Sequence, residues 1–298
     1  MRLVGEAREC WRYRELLTSL IERELQVRYK NSVFGVAWSL ANPIVRAIIL
    51  WAVFTFLVRN KTENYFAYVL AAFFPWTYFL TGVLDAADSV SKHLPLVRKV
   101  YFPRELLPLA TTLANLRHFL LTLGVVVLPL ILFLYAQDSW AHHRLSLPPA
   151  EILLVPVLVV MQTLLIGGIA LYLSALNVFF EDVKFLAAVV LDLLFYAMPI
   201  IYFLEHVEHA TQIPSGLHGF VYECFLLNPM VVILVSYRRF LLHPASLAGE
   251  ALGLPPGTPI NQGVAWPYFW ICAAICVLTF VTGYAFFNRR KWRFVEQL

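Results

Sequence analysis

Apolar residues in this chain come in long blocks. Four stretches carry no charged residue: 65–84, 119–137, 152–180 and 264–288. Two more carry one each, 33–58 with Arg46 and 185–204 with Asp192. A bilayer core of about 30 Å takes roughly 20 apolar residues in a helix. No water reaches the backbone there, so such a block must satisfy its own hydrogen bonds as a helix. The pattern predicts an all-α integral membrane protein with six transmembrane helices. The spans fall at about 33–58, 65–88, 108–136, 151–178, 184–204 and 264–288, within a single transmembrane domain over 1–298.

Other patterns lie between these blocks. Over 11–30, Tyr13, Leu16, Leu17, Leu20, Ile21 and Leu25 repeat at helical spacing, with Arg12, Glu15, Glu22, Arg23 and Gln26 opposite. That is an amphipathic helix, expected to lie in the membrane interface with its apolar side down. Glu24 and Arg28 fall on its apolar side four residues apart, a spacing that suits an ion pair. Alternatively, Arg28 faces a headgroup or substrate. Near the other end of the chain, 219–240 is apolar but interrupted at Asn228-Pro229. It predicts a re-entrant or half-crossing helical element before the last span, which survives in a membrane only when buried in protein or lining a cavity.

Composition sharpens this picture. The chain is 60% apolar and 14% charged, where a soluble chain has about a quarter of its residues charged. Sixteen of the basic residues fall in segments before, between or after spans that six crossings place on one side, and five on the other. Positive charge marks the cytoplasmic side, so both termini are expected in the cytoplasm and the protein in the inner (plasma) membrane. The net charge of +4 then reflects topology, and nucleic acid is not an expected partner. The first thirty residues hold seven basic and five acidic groups without an apolar core, so a cleaved signal is not expected.

Candidate chemistry is sparse. No glycine is followed by lysine, which excludes a phosphate-cradling loop of the P-loop type. Cys272 and Cys276 share a helix face and read as packing residues. His206, His209, His218 and His243 lack metal-ligand spacing, so no metal site is expected. Asp85 and Asp88 sit three apart at the end of the second span. Arg46 and Asp192 lie inside spans, where a charge costs at least about 2.5–3.5 kcal/mol and is usually paired or functional. Arg46 is a candidate for a polar path. The segment 91–108, SKHLPLVRKVYFPRELLP, combines four basic residues with Leu94, Leu96, Val97, Val100, Tyr101 and Phe102. It reads as a docking surface for another protein, the alternative being a helix on the lipid interface.

Five motifs in collinear order then carry a resemblance: RYKNSVFGVAWSLANP (28–43), VRKVYFPRELLPLA (97–110), FFEDVKF (179–185), AMPIIY (197–202) and LNPMVVILVSYRR (227–239). Together they resemble the permease subunits of ABC-type polysaccharide exporters, which move O-antigen, capsule or teichoic-acid polymers. The resemblance implies a homodimer of this permease with two ATPase subunits. ATP and magnesium would sit on the ATPase, and this chain would carry no cofactor or catalytic residue. It implies a coupling segment over 91–104, with Leu96, Arg98, Lys99, Tyr101, Phe102 and Arg104 as coupling residues and Glu181 and Asp182 as a second contact. The substrate would be a polysaccharide on a polyprenyl diphosphate carrier, with Arg28 and Lys30 as cationic partners of the diphosphate. Trp38, Arg46 and Trp76 would line the path, sugar faces being apolar and their edges polar. Asn228 and Pro229 would mark the re-entrant element. A drug or lipid exporter of the same permease type, a membrane-embedded glycosyl or phospho transferase and an ion-coupled transporter are the competing readings.

Overall fold

The computed structural model describes residues 12–29, 36–57, 64–100, 102–142, 147–208, 217–243, 245–246 and 259–295. In chain order its helices are α1 (Arg14–Tyr29), α2 (Val36–Ala52), α3 (Tyr65–Ala87), α4 (Ser89–Lys92), α5 (Leu94–Lys99), α6 (Leu106–Thr122), α7 (Leu128–His142), α8 (Val155–Asn177), α9 (Asp182–Ala197), α10 (Leu204–Glu208), α11 (His218–Leu227), α12 (Pro229–Leu241) and α13 (Trp266–Arg290). A wider five-residue turn extends α2 over Val53–Leu57, and another joins α6 to α7 over Leu123–Val127. Tight 3-10 turns precede α8 (Ala150–Leu154) and follow α13 (Lys291–Val295). Two short strands, Ala245–Ser246 and Pro259–Ile260, pair antiparallel.

Four of these helices are long and apolar enough to cross a membrane: Tyr65–Ala87, Leu106–Trp140, Ala150–Asn177 and Trp266–Phe294. The count reaches five if the bent pair α11–α12 is taken as one span. Apart from one pair of two-residue strands, the regular structure of the described residues is helical, as in a multi-pass membrane protein. Two predicted spans look different. The first, expected at 33–58, is described as α2 and its wider turn; residues 30–35 and 58–63 lie outside the described residues. The fifth, expected at 184–204, is helical only over sixteen residues, about 24 Å at 1.5 Å per residue. It stops because Met198 precedes Pro199, and a residue before proline is pushed to extended backbone; Met198 has φ −81° and ψ 147°.

The enclosed helix is α3. Of its most apolar window 78% is buried, against 22% for α13. It packs against α6, α8, α12 and α2. Its proline, Pro75, is accommodated beside α8, whose fully buried Gln162 donates to the Pro75 carbonyl at 2.6 Å. The tightest crossing is α8 on α13. A Cβ built on Gly283 would lie 2.3 Å from the Gly168 carbonyl oxygen, so glycine alone permits this approach.

Two apolar cores result. The larger runs through α3, α8, α12 and the adjoining helices. The smaller gathers Leu20 and Ile21 of α1, Val97 and Phe102 of the 91–104 segment, and Phe287 and Phe294 of the last turns. The N-terminal helix and the end of α13 therefore meet at the same end of the bundle. The apolar side of α1 packs on α6, so protein takes up part of the face that amphipathicity alone assigns to lipid.

The break between α11 and α12 is a bend of 89°. Asn228 caps α12 by accepting a hydrogen bond from the Met230 amide at 3.0 Å, and Pro229 takes the first helical position, where its missing N–H costs nothing. Cys272 donates through Sγ to the Pro229 carbonyl at 3.4 Å, so the predicted packing cysteine also serves a polar group at the bend.

Arg238 changes role. By sequence alone it is one of the five basic residues on the side away from the termini; the structure buries it to 2% exposure. Its guanidinium donates to the carbonyls of Tyr68 (3.0 Å), Tyr202 (2.8 Å) and Ile200, and stacks over the Phe203 ring. Asn261, in the left-handed region at φ 61°, donates to the Leu242 carbonyl at 2.9 Å. These contacts lock the end of α12 onto α3 and the turn after α9.

Candidate functional site

A cavity of about 870 Å³ opens between α2, α3, α6 and α9. Aromatic rings from α3 (Phe73, Trp76, Tyr78) and α9 (Phe195, Tyr196) form much of its wall. Its polar groups are Thr77 and Thr81 of α3, Asn115, His118 and Thr122 of α6, Arg46 of α2 and Asp192 of α9. Helical spacing explains the set. Trp76, Thr77 and Leu80 of α3 recur at three and four, as do Asn115, His118, Phe119 and Thr122 of α6, so each helix turns one mixed face to the cavity.

The rings are held in place. Tyr78 stacks on Phe119 with centroids 4.8 Å apart and an 8° tilt, and its hydroxyl lies 3.0 Å from Thr163 Oγ1. Phe195 sits against both Phe73 (6.3 Å) and Trp76 (6.0 Å), bridging α9 to α3. Thr77, Thr81 and Thr122 bond carbonyls four residues back in their own helices, so no threonine strands a polar atom in apolar surroundings. Flat apolar faces beside hydroxyls, an amide and both signs of charge suit a ligand with apolar faces and polar edges.

Arg46 and Asp192, single charges in otherwise apolar blocks, thus share this cavity with Trp76. Sequence could nominate each, but it could not bring residues of α2 and α9 together. Asn115 was missed altogether, and His118 reads in the sequence as a group snorkelling with Arg117 at the start of the third span and not as part of a path; the signal was polar residues four and one positions before Phe119, just ahead of an uncharged block. The side chains of Arg28 and Trp38, and all of Lys30, lie outside the described residues.

At the end of the bundle where α1 meets the last turn, α4, α5 and the loop 178–181 come together. Asp88 is the hub. Its carboxylate takes Lys184 Nζ at 3.5 Å, Asn177 Nδ2 at 3.4 Å and Lys92 Nζ at 3.6 Å. Asp85, three residues earlier, instead accepts from Asn115 at 3.2 Å, so the two aspartates serve different helices. Glu24 pairs with His93 at 3.4 Å.

The expected docking residues divide. Lys99, Glu181 and Asp182 are exposed, Leu96 is half-buried, and Phe180 and Val100 present exposed apolar surface beside them. Phe102 is turned inward, buried in the smaller core. Arg104 also faces the chain itself, donating to the Lys291 carbonyl. Tyr101 and the side chain of Arg98 lie outside the described residues. Glu105, adjacent to these and buried, was not singled out by sequence; it pairs with Lys291.

Two of the four histidines have local partners, while His209 and the side chain of His218 lie outside the described residues. His206 accepts at Nδ1 from the Phe203 amide, and His243 Nε2 lies 2.8 Å from the Leu147 carbonyl. Among the described residues, no three His, Cys, Asp or Glu side chains are grouped as a metal ion needs.

Known proteins resemble this chain over most of its length. Residues 15–216 match the model of the ABC-2 type transporter family. The O-antigen export system permease protein RfbA of Myxococcus xanthus is 29% identical over 297 residues, 99% of this chain and all of that protein. The O-antigen export system permease protein RfbA of Klebsiella pneumoniae is 28% identical over 287 residues, 95% of each chain.

Proposed function

The chain belongs to the ABC-2 type transporter family, and on that premise we propose that it is the membrane-spanning subunit of an ATP-driven exporter. Its cargo is a polysaccharide on polyprenyl diphosphate, O-antigen or teichoic-acid-like. The observation that carries the reading is the cavity between α2, α3, α6 and α9, where aromatic faces alternate with hydroxyl, amide and charged groups. A drug or lipid pathway has less use for such a polar lining.

The working unit is a homodimer with two ATPase subunits, which hold ATP and magnesium. Each copy crosses the membrane six times. With its wider turn, α2 reaches about 33 Å, and α9 followed by its extended tail makes the fifth. The α11–α12 bend is the re-entrant element. Both termini are cytoplasmic, by the distribution of basic residues. An exposed α9 supports the dimer. Only Leu191 of that helix is buried, while Asp192 is exposed and is costly to leave against lipid. A second copy across a water-filled path relieves that cost.

Arg28 and Lys30 receive the carrier diphosphate beside α1, which lies at the membrane interface. Trp38, Arg46 and Trp76 line the path. The ATPase docks on Lys99, Leu96, Arg98 and Tyr101, with Glu181 and Asp182 as the second contact. Phe102 and Arg104 hold the segment from behind.

The test is reconstitution. The permease and its ATPase, in vesicles with lipid-linked polymer on the outer face, should move polymer inward only with ATP and magnesium. Transport of a drug or phospholipid but not of polymer would overturn the reading, as would polymer transport without an ATPase.

A further inference from the structure

We propose that the buried ion pair Glu105–Lys291 is the joint through which movement of the 91–104 segment reaches the last span, α13. The inference rests on the exporter reading above, in which that segment receives the ATPase.

Glu105 stands at the junction of the segment with α6 and is 1% exposed. Lys291 Nζ reaches both its carboxylate oxygens, at 3.1 and 3.3 Å. The neighbouring Arg104 donates to the Lys291 backbone carbonyl. The last residue of the segment and the one that follows it therefore hold the backbone and the side chain of one residue, 187 and 186 positions away.

Lys291 is the residue at which α13 gives way to its terminal 3-10 turn. That turn is anchored from a second direction. Phe294 is fully buried, 5.7 Å from the Phe179 ring and 5.4 Å from the Phe287 ring. Phe179 belongs to the same loop as Glu181, the second docking contact. Both docking sites are thus attached to the end of α13.

The joint is stiff for a physical reason. Separating two charges held away from water leaves each uncompensated, whereas their association alone adds little net stability. A hydrophobic pair would hold the fold as well but would slide. Beyond the joint, α13 lies against α8 with no room at Gly168 and Gly283, so a shift at Lys291 displaces the crossing rather than being absorbed by side chains.

The experiment measures polymer transported per ATP hydrolysed by the reconstituted permease–ATPase complex. Three proteins are compared: wild type, the neutral pair Glu105→Gln with Lys291→Met, and the reversed pair Glu105→Lys with Lys291→Glu. The neutral pair is expected to hydrolyse ATP while transporting about tenfold less polymer per ATP, within the range of typical coupling energies, and the reversed pair to recover most of the loss. An unchanged ratio in the neutral pair overturns the inference and leaves the exporter reading intact. No ATP-driven transport by the wild type overturns that reading and the inference with it. If the variants do not assemble, hydrogen exchange on the wild-type complex decides. Amides of 102–107 and 288–294 should change together on ATP addition; a change confined to one segment overturns the joint.

Discussion

Glu24 of α1 and His93, between α4 and α5, meet at 3.4 Å. The His93 Nδ1 lies 2.8 Å from the Ser89 carbonyl, so that nitrogen carries a hydrogen and Nε2 is the atom presented to the carboxylate. The contact fastens the N-terminal helix to the segment that leads into α6. Together with Asp88–Lys184 and Glu105–Lys291, it gives that segment a polar tie to three separate parts of the chain.

Removing the first tie should loosen α1 without unfolding the bundle. A partly exposed pair is worth about 1 kcal/mol at most. His93→Ala is expected to raise amide exchange over 14–25 by up to about fivefold, with exchange in α3 and α8 unchanged. Hydrogen exchange in detergent reads this directly.

The α8–α13 crossing should be intolerant of a single methyl group. Gly283→Ala places a Cβ 2.3 Å from the Gly168 carbonyl oxygen, and Gly168→Ala places one 2.6 Å from the Thr279 carbonyl oxygen. The obstacle is backbone in both cases, so the helices must separate, at a cost of about 1–3 kcal/mol. Gly124→Ala meets nothing within 4 Å and is the control. The first two should lower the thermal unfolding midpoint in detergent and the third should not.

Arg238 should not be replaceable by lysine. Three carbonyls on two segments converge on its planar fork, and an ammonium group lacks the geometry to meet all three. Each carbonyl left unsatisfied in a buried site costs about 1–3 kcal/mol. Arg238→Lys is expected to lower the unfolding midpoint and Arg238→Met to lower it further, in either case with faster proteolysis between α9 and α12.

In the cavity, Trp76→Ala and Phe195→Ala should slow polymer movement without affecting assembly. A lost aromatic contact is worth about 0.5–1.5 kcal/mol, which corresponds to a two- to tenfold slower rate in the reconstituted assay. The Phe195 change should be the larger, because its ring touches Phe73, Trp76 and Tyr196, whereas the Trp76 ring touches Phe79 and Phe195. Equal rates in wild type and both variants would remove these rings from the path.

Much of the fold is legible locally. The uncharged blocks at 65–84, 119–137, 152–180 and 264–288 fall largely within helices. The Asn228-Pro229 break appeared where expected, since a capping side chain and a proline act through their immediate neighbours. The same locality could have shortened α9, because Met198-Pro199 ends a helix whatever surrounds it. In the candidate site, Arg46 and Trp76 stood out as a charge and a large ring in the early spans.

By itself, the sequence determined a multi-pass helical membrane protein, the places where its helices run and break, and the similarity that assigns its family. Those properties follow from hydrophobicity and backbone geometry, which operate over a few residues. Tertiary structure alone decided that Arg238 is a buried lock and that Glu105 and Lys291 are partners. It also set Phe102 inward and placed Arg46, His118 and Asp192 around one cavity. The polar fate of each of these groups depends on which backbone or side chain lies opposite, and that neighbour is supplied by packing of elements far apart along the chain. Arg238 and the Tyr68 carbonyl are 170 residues apart, and no local pattern records their meeting.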